Sequence, residues 1–587
     1  MLTGMHLGNF KAFAETQHIP VRPLTLIFGA NSAGKSSLIH SLLLAQHAEK
    51  EGNAGKQSYL DMHRTELGGD SVDLGGFLQY VHGRNFAHRT VWGMDLNLGD
   101  EGLTPYLPDV ARASLTLTIG VRAREDNLGV PHPDGNPEIL SCQIDVDGAP
   151  FAAMRQRTTH IMQVDRIEVA HPAFIRLMDA LIEAATTTPG LRDTDRAAVN
   201  SAVDMLVPEL SVRSSTFLPG ALLVSGESVA SLGAAGLLTI SRGNRNDEIE
   251  NAVRLLLPRA LDEILHALHL AAVEQFDRFR YLGPLRSYPP RHLAFSQNHD
   301  PNWRAGGGYA WDVVRNDARV RSLINDWLGS PARLQTQYEL VVRQLAALED
   351  LATPLYNQLA EWYDETATVE QSLAQEIASS PNPQEAYSEV VESSAGDEPV
   401  YPAQILGKYL DQPDKVKQML TAFPIEHIPD LALLDKRTQT LVSHRDVGIG
   451  ISQVLPVLVS AYAERGKLIA IEQPEIHLHP ALQAELADVF IESALGPRKN
   501  TFLLETHSEH LILRVMRRLR NTANGSLPDH IPPIRPEDVA ILFVQPNGKR
   551  TAAIVTEIHL DEEGEMLDNW PGGFFEEGFR ERFSDGE

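Results

Sequence analysis

The chain is short of cysteine, of long apolar runs and of positive charge. Cys142 is the only cysteine among 587 residues. One thiol cannot close an internal disulfide, and it cannot build a zinc site from cysteines. That predicts a reducing, cytoplasmic setting. No stretch reaches the roughly 18 apolar residues that a membrane-spanning helix needs. The opening residues, MLTGMHLGNFKAF, lack the apolar core of a secretory leader. A soluble chain with no membrane part is expected, which weakens any reading as a transporter subunit. Positive charge is scarce: 51 Lys+Arg stand against 78 Asp+Glu, a formal net charge of -27. A uniformly basic wrapper of nucleic acid is excluded, although a local basic patch is not. No internal repeat is visible.

What is present supports a folded, multi-unit chain. Hydrophobic residues make up 43% and charged residues 22%, enough for a sizeable core and incompatible with wholesale disorder. The length predicts two to four packed units. Acid is unevenly placed. Residues 551–587 hold eleven acids and two arginines, a net of -9. The stretch 378–404 is polar, acidic and punctuated by proline, and reads as an exposed linker.

The run Leu24-Thr25-Leu26-Ile27-Phe28 suits a buried strand, and Leu38, Ile39, Leu42 and Leu43 then recur at helical spacing. Between them stands Gly29-Ala30-Asn31-Ser32-Ala33-Gly34-Lys35-Ser36, the phosphate-loop pattern GxxxxGK[ST]. A chance match in a chain of this length arises about 0.02 times, and here the strand and helix flank it correctly. Glycines let backbone N–H groups turn in on phosphate oxygens. The helix N-terminus adds partial positive charge. Lys35 reaches the β- and γ-phosphates and the Ser36 hydroxyl ligates Mg²⁺. Asn31, Ser32, Ala33, Gly34 and Ser37 complete the expected ATP cradle.

Such a site needs an acid at the end of another buried strand. Lys467–Glu472 supplies an apolar strand ending in Glu472, followed by Gln473-Pro474-Glu475-Ile476-His477-Leu478-His479-Pro480. The next strand, Thr501–Leu504, leads into Glu505-Thr506-His507-Ser508, and Asp446–Gln453 opens an apolar helix upstream.

This order resembles the ABC-type ATPase heads of RecF, of SMC proteins and of the OLD-like ATPases of bacterial anti-phage systems. Residues 1–48, 278–291 and 440–515 carry the resemblance. FRYLGPLR (279–286), DVGIGISQVLP (446–456), IEQPEIHLHP (471–480) and ETHSEHL (505–511) are similar to a group that includes the Septu-type ATPase PtuA. The tail LDNWPGGFF (567–575) resembles a short C-terminal domain of unknown function in such ATPases. The resemblance implies Glu472 as the Mg²⁺-associated acid alongside Ser36. It implies Ser452, with Gln453 and the Gly448 and Gly450 backbone, as the signature that contacts the γ-phosphate held by another subunit. His507 falls at the switch-histidine position.

One departure matters. The family pattern has a second acid directly after the first, as catalytic base, where this chain has Gln473. An amide can orient water but cannot take its proton. Either Glu475 serves as base, or hydrolysis is slow and ATP holds a long-lived closed dimer. His477 and His479 could reach a metal, but two ligands are too few for zinc; the family reading makes them a loop at the dimer interface. Arg286, in a cluster with Arg278, Arg280 and Arg291, could sense the γ-phosphate or contact a partner. Arg514, Arg517, Arg518 and Arg520 form either a solvated helix face or a nucleic-acid phosphate site.

The expected fold class is α/β: an ABC-type P-loop ATPase head with an antiparallel β lobe and helical insertions. Residues 1–93 form the N-terminal part of the head, 94–170 the β lobe and 171–277 a helical insertion. Residues 278–339 are a coupling loop and return to the head, and 340–435 a second helical insertion with an acidic loop. Residues 436–530 complete the head, and 531–587 form a short acidic C-terminal domain. The expected activity is ATP hydrolysis with Mg²⁺. The expected role is that of a sensor and regulator in a bacterial anti-phage complex, a homodimer or higher oligomer controlling a separate nuclease-type effector, with nucleic acid as a further candidate partner. The alternative is a RecF-like DNA-repair ATPase that closes on DNA as a dimer. A nuclease within the chain is not expected, because only 80 residues follow His507 and LDEEGE (560–565) is not the DxD of such a domain.

Overall fold

The computed structural model describes residues 1–53, 65–66, 72–99, 102–122 apart from 106, 136–185, 190–229 apart from 215, 245–286, 303–345 apart from 332 and 334, 375, 377–379, 381–382, 427–447 apart from 445, 449–547 and 552–570. Two units are distinguished: residues 1–289, 297–337 and 444–587 form one, and 290–296 with 338–443 the other.

In chain order the first unit runs β1 (Leu2–Gly8), β2 (Gln17–Pro20), β3 (Leu24–Gly29), α1 (Lys35–Asn53), the short pair β4 (Thr65–Glu66) and β5 (Asp73–Gly75), α2 (Phe77–Tyr80), β6 (Thr90–Asn97), β7 (Arg112–Val121), β8 (Pro137–Val146), β9 (Ala149–Thr158), β10 (Ile161–Ile167), α3 (Pro172–Ala185), α4 (Arg196–Leu206), β11 (Leu210–Arg213), β12 (Leu222–Val224), β13 (Glu227–Ser228), α5 (Arg245–Arg278), β14 (Phe279–Leu282), α6 (Tyr309–Asn316) and α7 (Ala318–Gly329). The second unit holds β15 (Tyr338–Leu345), β16 (Ile428–Asp435) and β17 (Thr440–Val442), an antiparallel sheet. The first unit then resumes with α8 (Ile449–Ala463), β18 (Leu468–Glu472), α9 (Pro480–Leu495), β19 (Thr501–Glu505), α10 (Glu509–Ala523), β20 (Val539–Pro546) and β21 (Ala553–Ile558).

The head is a six-stranded sheet of order β14-β18-β19-β3-β20-β21. Its first five strands are parallel, and β21 joins antiparallel. A parallel strand covered on both faces must be apolar throughout. LIAIE in β18 and TFLLE in β19 are accordingly buried at every position. The chain thus invests its most continuous apolar runs in the strands that carry Gly29, Glu472 and Glu505 at one edge. That carboxyl edge is where open α/β sheets bind ligands.

The second sheet of this unit is antiparallel and ten-stranded, in the order β13-β12-β11-β10-β9-β8-β7-β6-β1-β2. It is wider than the 94–170 window. The N-terminal β1 and β2 join one end, and β11–β13, from the stretch expected to be helical, join the other. Their signal is weak because β11–β13 are two to four residues long. Cys142 lies buried inside β8, and burial raises its thiol pKa strongly. It is a small core residue. α5 packs Ile249, Val253 and Leu257 inward and runs on through Pro258. Within 340–435 the described ends are strands, β15 and β16, and most of the expected helical insertion and of the 378–404 linker lies outside the described residues.

Candidate active site

β3 ends in Gly29, whose φ is +144°, and a Cβ there would stand 2.1 Å from the Val544 carbonyl oxygen on β20. Only glycine lets the loop leave the sheet here. Gly34 (φ +106°) and Ser32 (φ +62°) then curl the backbone toward the start of α1. Ala30, Asn31 and Ser32 are exposed, while Ala33, Lys35 and Ser37 are buried. Lys35 Nζ donates to the carbonyls of Gly29 and Ala30, 3.0 Å each. It stands 4.0 Å from Glu505 Oε1. Burial lowers its pKa, and the charges of Glu505, Glu475 and Glu472 oppose that shift.

The acids converge from two neighbouring strands, because β18 and β19 pair Glu472 directly with Glu505. Ser36 Oγ donates to Glu505 Oε2 at 2.7 Å. Glu472 Oε1 instead meets His40 Nε2 at 2.9 Å and accepts from the Tyr281 hydroxyl at 2.9 Å. His40 Nδ1 in turn lies 3.1 Å from Lys11 Nζ, whose pKa burial lowers to about 8. Burial, then repulsion from Glu472, push Glu505 up to about 7, although Ser36 and Lys35 pull it back.

Glu505, His40, Tyr281 and Lys11 were not among the residues singled out from sequence. Glu505 was visible only as the acid ending the strand before Thr506-His507. The partners of Glu472 lie 432 and 191 positions away in the chain, a separation that no local pattern spans.

Gln473 has φ +48°, and its N–H donates to the Glu505 carbonyl at 2.7 Å, so its backbone bridges the two strand ends. Glu475 is buried. Its Oε1 accepts from the His507 N–H at 2.7 Å, and its Oε2 has no hydrogen-bond partner among the described residues. Burial raises its pKa. His507 is half-buried, and burial followed by the charge of Lys35 lowers its pKa, keeping the ring neutral. Lys35, Ser36, Glu472, Glu475, Glu505 and His507 thus share one neighbourhood.

Arg286 is buried and engaged within the chain. Nη1 donates to the Gln453 carbonyl at 3.0 Å, and Nη2 to the carbonyls of Glu472 and Gln473 at 3.2 and 2.9 Å. It ties the start of α8 to the end of β18. Burial lowers its pKa to about 10. Ser452 Oγ donates to the His444 carbonyl at 3.3 Å, and both Ser452 and Gln453 are buried. A Cβ at Gly450 would stand 3.3 Å from the His477 carbonyl oxygen, so the start of α8 abuts the 473–479 loop of its own chain. Gly448 and Arg291 lie outside the described residues. His477 and His479 are exposed, and His479 Nδ1 caps α9 by accepting from the Ala481 N–H at 3.3 Å. Among the described residues they belong to no group of three metal-ligating side chains.

Two arginines of α10, Arg514 and Arg518, face acids of α9, while Arg517 is exposed. Arg514 donates to Asp488 at 2.5 Å and Glu485 at 2.6 Å, and Arg518 donates to both Asp488 oxygens at 2.7 and 2.6 Å. Arg520 pairs with Glu565. Arg278 Nε donates to the Gly466 carbonyl at 2.6 Å. No helix is long and apolar enough to cross a membrane among the described residues.

Comparisons with known proteins bear on this geometry. Residues 238–514 match the family model described as "AAA domain, putative AbiEii toxin, Type IV TA system". Residues 534–582 match the model "Protein of unknown function (DUF3696)". No curated protein matches the chain. Solved structures that match include an SMC head bound to the C-terminal winged-helix domain of ScpA, at 10% identity and TM-score 0.33, covering 96% of this chain and 98% of that one. They include the Smc head with an extended coiled coil from Pyrococcus furiosus, at 12% identity, TM-score 0.32 and coverage of 95% and 96%. The SMC head of Thermotoga maritima matches at 8% identity, TM-score 0.30 and coverage of 95% and 99%. The sequence 238–514 is thus similar to an AAA domain, and the phosphate-loop pattern at 29–36, on the parallel α/β sheet, lies outside the segment that the model matches.

Proposed function

We propose that the chain binds ATP with Mg²⁺ at the phosphate loop, hydrolyses it as a dimer, and serves as sensor and regulator of a bacterial anti-phage assembly whose separate effector is a nuclease. The observation that carries the ATP-site reading is the meeting of Lys35 and Ser36 with Glu505, with Glu472 paired beside it on the next strand.

Mg²⁺ is a hard cation that takes oxygen ligands. The Ser36 hydroxyl and the carboxylates of Glu505 and Glu472 are the donors that fit it. Bound Mg²⁺ supplies charge neutralisation on the phosphate oxygens. Backbone N–H groups of residues 30–35 and the N-terminus of α1 cradle the phosphates. Lys35 neutralises charge beside them. Glu475 takes the proton of the attacking water, since its pKa is raised and its Oε2 is unpartnered. Gln473 orients that water. Neutral His507 donates to the phosphate oxygen and is held in place through the bond between its N–H and Glu475. Ser452 and Gly450 reach the nucleotide of a second copy. Arg286 carries the state of the 472–473 strand end to α8 through its three carbonyl bonds.

The regulatory reading is supported by the matched family description, which names a toxin of a toxin–antitoxin system. The acidic composition of residues 551–587, a net of -9, suits a basic partner. The RecF-like alternative needs free cations for DNA, and of the four α10 arginines Arg514, Arg518 and Arg520 are engaged by acids, which leaves the exposed Arg517.

The test is purification with native partners, followed by Mg²⁺-dependent ATP binding and phosphate release, with light scattering for dimer closure. Lys35→Ala should abolish nucleotide binding. A wild-type chain that binds no ATP contradicts the site. Strong stimulation by DNA without any protein partner contradicts the effector-control role.

A further inference from the structure

A second cluster of ligating side chains shares no residue with the candidate nucleotide site. β1 and β2 pair at the end of the ten-stranded sheet, with His6 directly opposite His18. Asp95 on β6 reaches the same point from the other side of β1. Its Oδ1 lies 2.9 Å from His6 Nε2 and its Oδ2 lies 3.0 Å from His18 Nε2. The two imidazoles tilt at 53° with centroids 5.0 Å apart.

The approach depends on glycine. A Cβ at Gly4 would stand 2.3 Å from Asp95 Oδ2 and 3.1 Å from His18 Nε2. A Cβ at Gly93 would stand 3.2 Å from the Cβ of His6. Ser114 Oγ donates to Asp95 Oδ1 at 2.5 Å and fixes the carboxylate from behind. Three adjacent strands and a fourth, β7, therefore build the arrangement.

A carboxylate satisfied by two histidines is the plain explanation, but the donor set exceeds it. Two imidazole nitrogens and a carboxylate oxygen, all within 4.8 Å of one another, are the ligand atoms of a divalent transition-metal site. The His18 side chain is 58% exposed and that of Asp95 20%, so an ion can enter from solvent. Nitrogen donors disfavour Mg²⁺, which prefers oxygen.

We propose that His6, His18 and Asp95 form a site for Zn²⁺ or a similar divalent transition-metal ion, which fastens the edge strand β2 to β1 and β6. Three protein ligands leave a further position for water. β2 is also where this sheet touches the head, because Gln17 Oε1 accepts from the Val555 N–H on β21 at 3.0 Å. The ion stiffens that junction.

The experiment uses the full-length chain, stripped with chelator and dialysed, then titrated with Zn²⁺ by calorimetry. His18→Gln and Asp95→Asn are compared with wild type, and His477→Gln/His479→Gln is the control for the exposed HxH pair. Wild type and control should each bind one equivalent that both site variants weaken at least about tenfold. Co²⁺ should give a visible ligand-field band in wild type that His18→Gln removes. Should Asp95→Asn fail to fold, the exposed His18→Gln keeps the comparison decisive. Equal stoichiometry and affinity in wild type and His18→Gln overturns the site, as does a wild type that takes up no Zn²⁺.

Discussion

Replacing Glu505 with Gln should make the nucleotide-free protein more stable while weakening its hold on Mg²⁺·ATP. Glu505 is buried, at 5% exposure, and faces Glu472 across the β18–β19 pairing. Burial first, and that repulsion second, raise its pKa from 4.5 to about 7. A rise of this size corresponds to at most about 3 kcal/mol. The sign follows from proton linkage. Below pH 4.5 the folded and unfolded states both hold the proton, and Glu505 costs nothing. Between 4.5 and about 7 the unfolded chain ionises first, so stability falls as pH rises. Above about 7 the full penalty is present. Glu505→Gln removes it, so the variant should exceed wild type by up to about 3 kcal/mol at pH 8 and by little at pH 4.5. Denaturation across this range, without Mg²⁺ or nucleotide, reads the difference directly. Calorimetric titration of the same variant with ATP should show a loss of the Mg²⁺-dependent part of the affinity. A variant that tracks wild type at every pH, or that is less stable at pH 8, refutes the assignment of Glu505 as a charge held at a cost for the metal.

Other outcomes follow from the same contacts. Arg286→Ala should destabilise the chain by about 3 kcal/mol or more, because three buried carbonyls lose a charged donor. Arg286→Lys should not restore it, since one ammonium cannot reproduce the planar fork; thermal melts compare the two. Arg518→Ala should cost about 3–5 kcal/mol by weakening the pairing of buried Asp488. Its affinity for DNA, measured by fluorescence anisotropy, should stay at the wild-type value. Gly29→Ala should give folded protein poorly if at all, since the new methyl meets the Val544 carbonyl and φ is +144°; soluble yield and circular dichroism show it.

The strand–loop–helix unit at 24–53 could be read from sequence because its determinants are local: a buried apolar run, glycines at the turn, then helical spacing. The apolar strands ending in Glu472 and Glu505 were readable for the same reason. Glu505 as the partner of Ser36 was not, because the two are 469 positions apart and meet only through the order β18-β19-β3. The α10 arginines show the same limit. Their spacing announces a charged face, but the acids that engage Arg514 and Arg518 stand on α9, 26 to 30 positions earlier, and the acid that engages Arg520 stands 45 positions later. Within 94–170, β7 and β8 alternate buried and half-buried residues as half-covered strands do, whereas β1, β2 and β11–β13 are recruited by tertiary pairing.

The proposed function makes Glu475 the base that takes the proton of the attacking water, two positions beyond Gln473. Steady-state phosphate release by wild type and Glu475→Gln, at saturating ATP and Mg²⁺, tests it most directly. Wild type should turn over ATP, and the variant should fall by about 10²–10⁴-fold with ATP binding retained. An unchanged rate in Glu475→Gln would contradict it.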